Sequence, residues 1–344
     1  MSVLRPGKRL LLSLTAVAAL GLATVPVQAA PLPAPSLDAS ALVAQVGPAV
    51  VNVDTQMGYQ GAVGAGTGIV LDPGGVVLTN NHVVSGATDI KVESIASGQT
   101  YDADVIGYDR THDVAVLQLR GAAGLSPANI GNSAAVAVGD QVVAMGNAGG
   151  QGGTPSAVPG QITGLGEQVS ASDELTGSTE VLSNMIKAST PIRPGDSGGP
   201  LVNGAGQVIG MSTAASGNFK LPDTGGEGFA IPINQAMAIA GQIRAGNASN
   251  TVHIGPTGFL GVGVTEGNGG ARVESAIEGT PAAELGLAKE DVITAVNGAP
   301  VDSPTTLTNL LDLHHPGDSV AVTWRDQNGG LHTANATLAP GPVG

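Results

Sequence analysis

The feature that most constrains the fold is a series of short β-branched runs separated by glycine-rich turns between residues 50 and 233. Turn sequences such as Asp-Pro-Gly-Gly at 72–75 and Asn-Gly at 203–204 bound these runs. Short strands joined by tight turns are typical of an all-β barrel or sandwich. A doubly wound parallel sheet is not indicated, because no regular amphipathic helices lie between the runs. The runs lie at 50–53, 69–71, 76–78, 114–117, 142–145 and 208–211.

Composition excludes several classes of function. The chain has 27 acidic and 13 basic residues and a net charge of −14, so binding to a nucleic-acid backbone is not expected. It has no cysteine, which excludes disulfides, thiolate catalysis and cysteine-based metal sites. No cofactor and no metal site is indicated, because the acidic residues are scattered and only His314 and His315 are adjacent histidines.

The amino terminus has the order of a secretory signal peptide. Arg5, Lys8 and Arg9 precede an apolar run over 10–25, and small residues then lead to Ala29. This pattern predicts a signal peptide at 1–29 and a secreted or cell-envelope, extracytoplasmic location. The alternative is an uncleaved membrane anchor, which the prolines after the apolar run disfavour.

The remaining sequence divides into two domains. We expect a flexible leader at 30–40, a first domain at 41–246, a linker at 247–254 and a second domain at 255–340. The first domain ends in a predicted helix at 233–244, whose apolar face follows helical spacing. In the second domain we expect strands at 260–264, 292–296 and 320–324, and a helix that begins at Ser303-Pro304.

The segment 194–200, Pro-Gly-Asp-Ser-Gly-Gly-Pro, carries the strongest chemical signal. Flanking glycines allow close approach of a substrate to Ser197, the candidate nucleophile. The backbone amides of Gly195 and Ser197 could stabilise the negative charge that develops on an attacked carbonyl oxygen. The alternative is an ordinary glycine-rich turn.

A nucleophilic serine needs a base and a carboxylate that orients the base. His82, at the end of an apolar strand, is the candidate base. Asp113, at the start of another apolar strand, is the candidate carboxylate. The order His, Asp, Ser is that of chymotrypsin. The competing residues are His112, His253, His314, His315, His332, Asp102, Asp104 and Asp109.

These motifs resemble those of the HtrA/DegP family of chymotrypsin-like serine proteases. The matching segments are 64–68, 78–84, 113–117, 195–200 and 228–233. The resemblance implies a mostly β fold, in which a double six-stranded β-barrel protease domain precedes a small α+β PDZ domain. It implies the triad His82, Asp113 and Ser197, with an oxyanion hole at Gly195 and Ser197. It also implies unfolded or misfolded polypeptide substrates and a trimer, although the leader lacks the aromatic cluster that commonly builds that trimer.

The start of the second domain supports the PDZ interpretation. The segment Gly258-Phe259-Leu260-Gly261-Val262 resembles the PDZ loop that binds the carboxylate of a peptide C-terminus. The helix predicted at 305–313 would form the other wall of the groove. The alternative is a plain strand containing glycines.

Two positions depart from the family pattern. Asp196 stands before the serine where the family usually has Asn, and Arg193 is a candidate local partner for it. Ser189 stands where an Asp is common, which leaves open the shape of the loop before the nucleophile.

For the substrate pocket we expect Ile192, Ser212, Thr213 and Ala214 as lining residues. They favour Val, Ala or Leu before the cleaved bond.

Two other functions compete with a chymotrypsin-like protease. Residues 195–199 also satisfy the G-x-S-x-G pattern of another hydrolase fold, but Pro200 and a strand follow where that fold has a helix. The second alternative is a chaperone or scaffold that binds unfolded protein while its protease domain is largely silent.

Overall fold

The structure is a computed structural model that describes residues 1–2, 37–173, 178–213, 219–220 and 226–344. Apart from residues 1 and 2, the signal peptide predicted at 1–29 lies outside the described residues. Helix α1, Ala39–Val46, begins two residues before the predicted end of the leader. The Asp38 side chain caps it by accepting the amide of Ala41 at 3.0 Å, so the last two residues of the predicted leader, 39 and 40, are helical.

Four more helices follow: α2 Asn81–Val84, α3 Ile233–Arg244, α4 Pro281–Glu284 and α5 Pro304–Leu311. Short 3-10 helices cover Gly47–Ala49, Ser133–Ala135 and Ala148–Gly150. Within the described residues, no helix has the length and apolar character needed to cross a membrane.

The first six strands close into a barrel. They are β1 Val50–Met57, β2 Ala62–Val70, β3 Val76–Thr79, β4 Asp89–Ser94, β5 Thr100–Asp109 and β6 Val114–Leu119. Their order is β5-β4-β1-β2-β3-β6, and pairing of β5 with β6 closes the barrel. Val51, Val77 and Leu117 are fully buried inside it, which is the result expected from short β-branched runs. We call this unit barrel 1.

The next strands form a second barrel, barrel 2. They are β7 Gln141–Gly146, β8 Ser156–Asp173, β9 Ser178–Ala188, β10 Pro200–Asn203, β11 Val208–Thr213, β12 Phe219–Lys220 and β13 Gly228–Pro232. Six of them close in the order β8-β7-β10-β11-β13-β9, and β12 pairs with the outer part of β8. The double six-stranded barrel predicted from the sequence is therefore confirmed.

Helix α3 has the predicted bounds and packs on both barrels. Ile233, Ala236, Ala240 and Ile243 are buried as the spacing predicts, and Ile239 joins them. The core cluster around α3 includes residues of β2, β3, β11 and β13. The helix thus helps to fix one barrel against the other.

The predicted linker is partly structured. Its last three residues form β14, Val252–Ile254, which pairs with β5 of barrel 1. The last three residues of the segment predicted as a linker, 247–254, thus extend the sheet of barrel 1. β14 brings the second domain directly against barrel 1.

The second domain is an α+β unit with its own core. Its strands are β15 Gly258–Phe259, β16 Val262–Gly267, β17 Gly270–Ala276, β18 Val292–Val296, β19 Ala299–Pro300, β20 Ser319–Arg325, β21 Leu331–Thr337 and β22 Ala339–Pro340. The main sheet has the order β16-β17-β18-β20-β21, while β15 pairs with β22. Leu260, Ile293 and Leu307 are buried together. Ser303 caps α5 by accepting the Thr306 amide at 3.2 Å, as the sequence predicted.

Candidate active site

His82 lies where barrel 1 meets barrel 2. It is on the single-turn helix α2 just after β3, so its predicted position at a strand end is wrong by a few residues. Its Nε2 atom is 2.9 Å from Ser197 Oγ, and its Nδ1 atom is 2.8 Å from Asp113 Oδ2. One imidazole therefore joins the hydroxyl of barrel 2 to the carboxylate of barrel 1.

The carboxylate of Asp113 is fully buried and held from several directions. The His82 backbone amide also donates to its Oδ1 atom at 2.9 Å. The backbone of Asp113 has φ 54°, a left-handed conformation that Asp adopts more readily than most residues. Asn80 donates to the Asp113 carbonyl at 3.0 Å and to Thr213 Oγ1 at 3.2 Å. Sequence reasoning missed Asn80, although it lies only two residues before His82.

The competing carboxylates are used elsewhere. Asp102 pairs with Lys91, and Asp104 accepts from Arg120 Nε at 2.8 Å, both on the exposed surface. Asp109 is bound by His112, whose Nδ1 atom is 2.8 Å from Asp109 Oδ2. None of these three carboxylates is brought to Ser197 in the described residues.

The competing histidines are also placed away from Ser197. His253 lies on β14, with Nδ1 2.6 Å from the carbonyl oxygen of Asp312. His314, His315 and His332 belong to the second domain. Of the six histidines, all of which the structure describes, only His82 contacts the serine.

The loop before Ser197 is fixed by its neighbours. The Pro194 carbonyl accepts the Gly149 amide at 2.7 Å, and the Gly195 carbonyl accepts the Thr67 hydroxyl at 2.6 Å. Gly195 has φ 97°, and a Cβ at this position would collide with the carbonyl oxygen of Asn147. Both the conformation and the close approach therefore require glycine.

Thr67 connects the loops around the site. Its amide donates to the Ser197 carbonyl at 2.8 Å, and its hydroxyl accepts the Asn147 amide at 2.9 Å. The same hydroxyl donates to Gly195. In the sequence, Thr67 is marked only by its position in the Gly-Ala-Gly-Thr-Gly segment, and that pattern does not predict which residues Thr67 contacts.

Asp196 pairs locally, as predicted, but with the main chain of Arg193. Its Oδ2 atom accepts the Arg193 amide at 2.8 Å, and its Oδ1 atom accepts the Ser156 hydroxyl at 2.9 Å. Burial raises the pKa of Asp196, although both hydrogen bonds oppose that effect. Ser189, the other departure, accepts the Gln161 amide at 3.0 Å and so ties its loop to β8.

The predicted substrate-pocket residues lie on the barrel 2 side. Ser212 and Thr213 are buried at the end of β11, where Ser212 exchanges two backbone hydrogen bonds with Gly198 and Gly199 at 2.9 and 2.8 Å. Ile192 is half-buried. Ala214 lies outside the described residues.

A separate cavity of about 210 Å³ borders His82 and Gly195 on the barrel 1 side. Met57, Val63 and Ala65 contribute to its lining, and none of the three predicted pocket residues that the structure describes, Ile192, Ser212 and Thr213, does.

The second domain contains a groove of about 340 Å³ at the predicted position. Phe259, Leu260, Gly261 and Val262 all line it. Gly261 has φ 80°, and a Cβ there would collide with Thr280. Leu307 and Leu311 of α5 also line the groove, which is the arrangement predicted for its opposite wall.

A buried ion pair joins barrel 1 to the end of α5, and sequence reasoning missed it. Arg110 Nε is 2.8 Å from Asp312 Oδ2, and Nη2 is 3.4 Å from Oδ1. The Tyr108 hydroxyl donates to Oδ1 at 3.0 Å. Burial acts to lower the pKa of Arg110, but the charge and hydrogen bonds of Asp312 outweigh burial and raise it.

Comparison with known proteins agrees with this architecture. A trypsin-like peptidase domain model matches residues 66–211, and a PDZ domain model matches residues 258–337. The fold and the site thus define a trypsin-like peptidase domain joined to a PDZ domain.

The relatives that are similar to this chain in sequence are named as serine proteases or a serine endoprotease. Serine protease PepD of Mycobacterium tuberculosis is 34% identical over 311 residues, covering 86% of this chain and 64% of PepD. Serine protease Do-like HtrA of Bacillus subtilis is 31% identical over 264 residues, covering 72% of this chain and 57% of that protein. The "Probable periplasmic serine endoprotease DegP-like" of Chlamydia pneumoniae is 36% identical over 274 residues, with coverage of 75% and 51%. The chain thus spans between about half and just under two thirds of the length of these relatives.

Solved structures give the same result. The HtrA-type protease AlgW with a tripeptide has a TM-score of 0.50 and 28% identity, covering 88% of this chain and 97% of that one. The same protease with a decapeptide has a TM-score of 0.51 and 25% identity, with coverage of 89% and 99%. Sequence and fold together show a trypsin-like peptidase domain followed by a PDZ domain, and the chain is similar to HtrA-type serine proteases, as its motifs predicted.

Proposed function

We propose that the protein is a serine endopeptidase that cleaves unfolded or misfolded polypeptides through His82, Asp113 and Ser197. The observation that carries this proposal is the position of the His82 ring, with Nε2 2.9 Å from Ser197 Oγ and Nδ1 2.8 Å from Asp113 Oδ2. Both distances are within hydrogen-bonding range for a nucleophile, a base and the group that orients the base.

The chemistry follows from this arrangement. Ser197 Oγ attacks the carbonyl carbon of the substrate while its proton passes to His82 Nε2. Asp113 accepts a hydrogen bond from Nδ1–H and stabilises the imidazolium that forms. His82 then donates the proton to the departing amine, which leaves an ester on Ser197. Water, activated by the same imidazole, hydrolyses this ester and restores the serine.

The amides of Gly195 and Ser197 are our candidates for the oxyanion hole. The contact of the Pro194 carbonyl with Gly149 supports this assignment. In a trans peptide the C=O and N–H groups point in opposite directions, so this contact turns the Gly195 amide away from Gly149. We propose that it thereby faces the position of the developing oxyanion.

For the residue before the cleaved bond, we retain Ile192, Ser212, Thr213 and Ala214 as pocket residues. Their small or aliphatic side chains favour Val, Ala or Leu there.

We further propose that the PDZ groove binds peptide C-termini through Phe259, Leu260, Gly261 and Val262. The lining of that groove by all four residues, and by the apolar side chains of α5, supports this role. The tripeptide and decapeptide in the AlgW structures are consistent with peptide binding by this type of protein.

An extracytoplasmic location and a trimeric state complete the proposal. The periplasmic description of the Chlamydia pneumoniae relative and the signal-peptide pattern at 1–29 support the location. The trimer rests on the family resemblance alone.

The experiment is to compare the wild-type chain and Ser197→Ala for cleavage of unfolded casein. We expect at least a 10⁴-fold loss of rate, because the hydroxyl forms the covalent intermediate. Ser133→Ala, in the 3-10 helix Ser133–Ala135, serves as the control and should cleave at the wild-type rate, although its hydroxyl accepts the Asn234 amide of α3 at 3.1 Å. Cleavage by Ser197→Ala at the wild-type rate would refute the protease proposal. If the wild-type chain cleaves nothing but suppresses aggregation, the chaperone alternative is correct.

A further inference from the structure

The PDZ groove is not built from the PDZ domain alone. Tyr59 and Arg110 of barrel 1 line it together with the carboxylate-loop segment, and the Tyr59 and Phe259 ring centroids are 5.1 Å apart. Among the side chains of the described residues that line the groove, only those of Arg110 and Asp312 are charged. The single cation at this groove therefore comes from the protease domain. Pro342, Val343 and Gly344 line the groove as well, and the Gly344 amide donates to Thr257 Oγ1 at 3.2 Å.

The guanidinium of Arg110 has unused donors. Its Nε and Nη2 atoms face the Asp312 carboxylate, which occupies one edge of the planar group. Its Nη1 atom is buried and has no hydrogen-bond partner among the described residues. A buried, unpaired donor on a charged group is costly, which is why such groups usually have an acceptor in the functional state. Arginine can bind a second carboxylate through this remaining edge.

The carboxylate loop itself has no basic side chain. The segment 255–264, Gly-Pro-Thr-Gly-Phe-Leu-Gly-Val-Gly-Val, can offer an anion only backbone amides and the hydroxyl of Thr257. A peptide carboxylate that entered the groove would lose much of its hydration, and nearby positive charge would offset that loss.

We propose that Arg110 of the protease domain completes the peptide-binding site by donating through Nη1 to the terminal carboxylate of the bound peptide. The site is then composite, with amides from the PDZ loop and a guanidinium from barrel 1. Its ligand is a polypeptide C-terminus with an apolar last side chain, since Leu260, Leu307 and Leu311 line the same groove. This inference rests on the proposed peptide-binding function of the PDZ domain.

Asp312 of the ion pair is expected to affect peptide binding in two opposing ways. Asp312 holds Arg110 in place, but it also competes for the same positive charge, as does the more distant Glu180. Removing the negative charge of Asp312 should therefore strengthen peptide binding. A purely structural role of the pair predicts the opposite, because either change would then weaken docking of the domain.

The experiment measures binding of a fluorescein-labelled octapeptide ending in Tyr-Val, as the free acid and as the C-terminal amide, to the full chain carrying Ser197→Ala. In this background we compare two variants. The first is a double variant that carries both Arg110→Met and Asp312→Leu, and the second is the single variant Asp312→Asn. The double change removes both charges and leaves no unpaired ion, so the domain should remain folded and docked. We expect it to weaken free-acid binding about tenfold, the effect of one charge-assisted hydrogen bond, without changing amide binding. We expect Asp312→Asn to tighten free-acid binding.

The possible results separate the two proposals. If the parent chain prefers the free acid and the double variant keeps that full preference, Arg110 does not bind the carboxylate, while the PDZ assignment stands. If Asp312→Asn and the double variant weaken both peptides equally, the ion pair is only a structural contact and the inference is wrong. If the parent chain binds neither peptide, the PDZ assignment and the inference are both overturned.

Discussion

The chain builds two clefts, one between the barrels and one between barrel 1 and the PDZ domain, and they differ in how their polar groups are satisfied. In the first cleft, His82 bridges Asp113 and Ser197 at 2.8 and 2.9 Å. In the second cleft, Arg110 is also buried, but its Nη1 atom has no hydrogen-bond partner among the described residues. The polar side chains of the first cleft thus satisfy one another, whereas the second cleft contains a buried cationic donor with no acceptor among the described residues.

The two clefts are connected through one short turn. The Asp113 amide donates to the Arg110 carbonyl at 3.1 Å. The side chain at the PDZ groove, Arg110, and the carboxylate at the candidate catalytic site, Asp113, are therefore only three positions apart in the sequence. Because the two residues are so close, substitutions on either side of the turn are the best way to separate the contributions of the two clefts.

The largest expected effect belongs to the first cleft. Asp113→Asn keeps the size of the side chain but removes the charge that fixes the imidazole tautomer. We expect a fall in kcat of about 10⁴-fold, measured with a peptide containing Val before the cleaved bond. Asp102→Asn, on the exposed edge of barrel 1, is the matched control and should keep wild-type kcat. A loss smaller than tenfold for Asp113→Asn would show that this carboxylate does not orient His82.

Substitutions in the second cleft should lower the free energy of unfolding. In the wild-type pair, the side chain of Arg110 is 6% exposed and that of Asp312 is 15% exposed. Arg110→Met therefore leaves the Asp312 carboxylate largely buried without its counter-charge. We expect a loss of about 3–5 kcal/mol in the free energy of unfolding by urea, most of it recovered when Asp312→Leu is added. Arg120→Met breaks the exposed pair with Asp104 and serves as the control, with no expected change in the urea midpoint. Equal losses for the single and double changes would mean that the charges are not coupled.

The smallest effect is expected at His112, inside the connecting turn. Its hydrogen bond to Asp109 raises the pKa of His112, while partial burial opposes the rise. A raised pKa in the folded state adds stability that is fully present below the unfolded value of about 6.5 and is lost as the pH rises through the folded value. His112→Gln should therefore lower stability at pH 5.5 by less than about 1 kcal/mol, because the side chain is substantially exposed, and should have less effect at pH 9.

The measurement for this prediction is urea unfolding of wild type and His112→Gln at both pH values, together with kcat. We expect kcat to be unchanged, since His112 is bound to Asp109 and not to Ser197. A destabilisation that grows towards pH 9 would contradict the sign of the shift.

The three residues of the candidate triad could be predicted from the sequence because short local patterns mark them. Ser197 lies within a rare glycine-rich segment, and His82 and Asp113 adjoin apolar strands that can be recognised by composition. The α3 helix was also predictable, since its apolar spacing is regular. In each case the information lies within a few consecutive residues.

The supporting contacts could not be predicted, because they depend on which distant segments meet. Asn80 and Thr67 have side chains that are common in strands and turns, and only the fold shows that they tie loops to the site. The pairing of Arg110 with Asp312 joins residues 202 positions apart and has no sequence signature. The strand at 252–254 was missed for the same reason, since its partner β5 is remote in the chain.

Covalent labelling with a fluorophosphonate tests directly whether the two barrels assemble one reactive serine. Mass spectrometry after brief exposure should find one adduct on the wild-type chain, located on Ser197. Labelling should fall by orders of magnitude in His82→Ala but stay at the wild-type rate in His112→Ala. An adduct on another residue, or equal labelling of wild type and His82→Ala, would contradict the account.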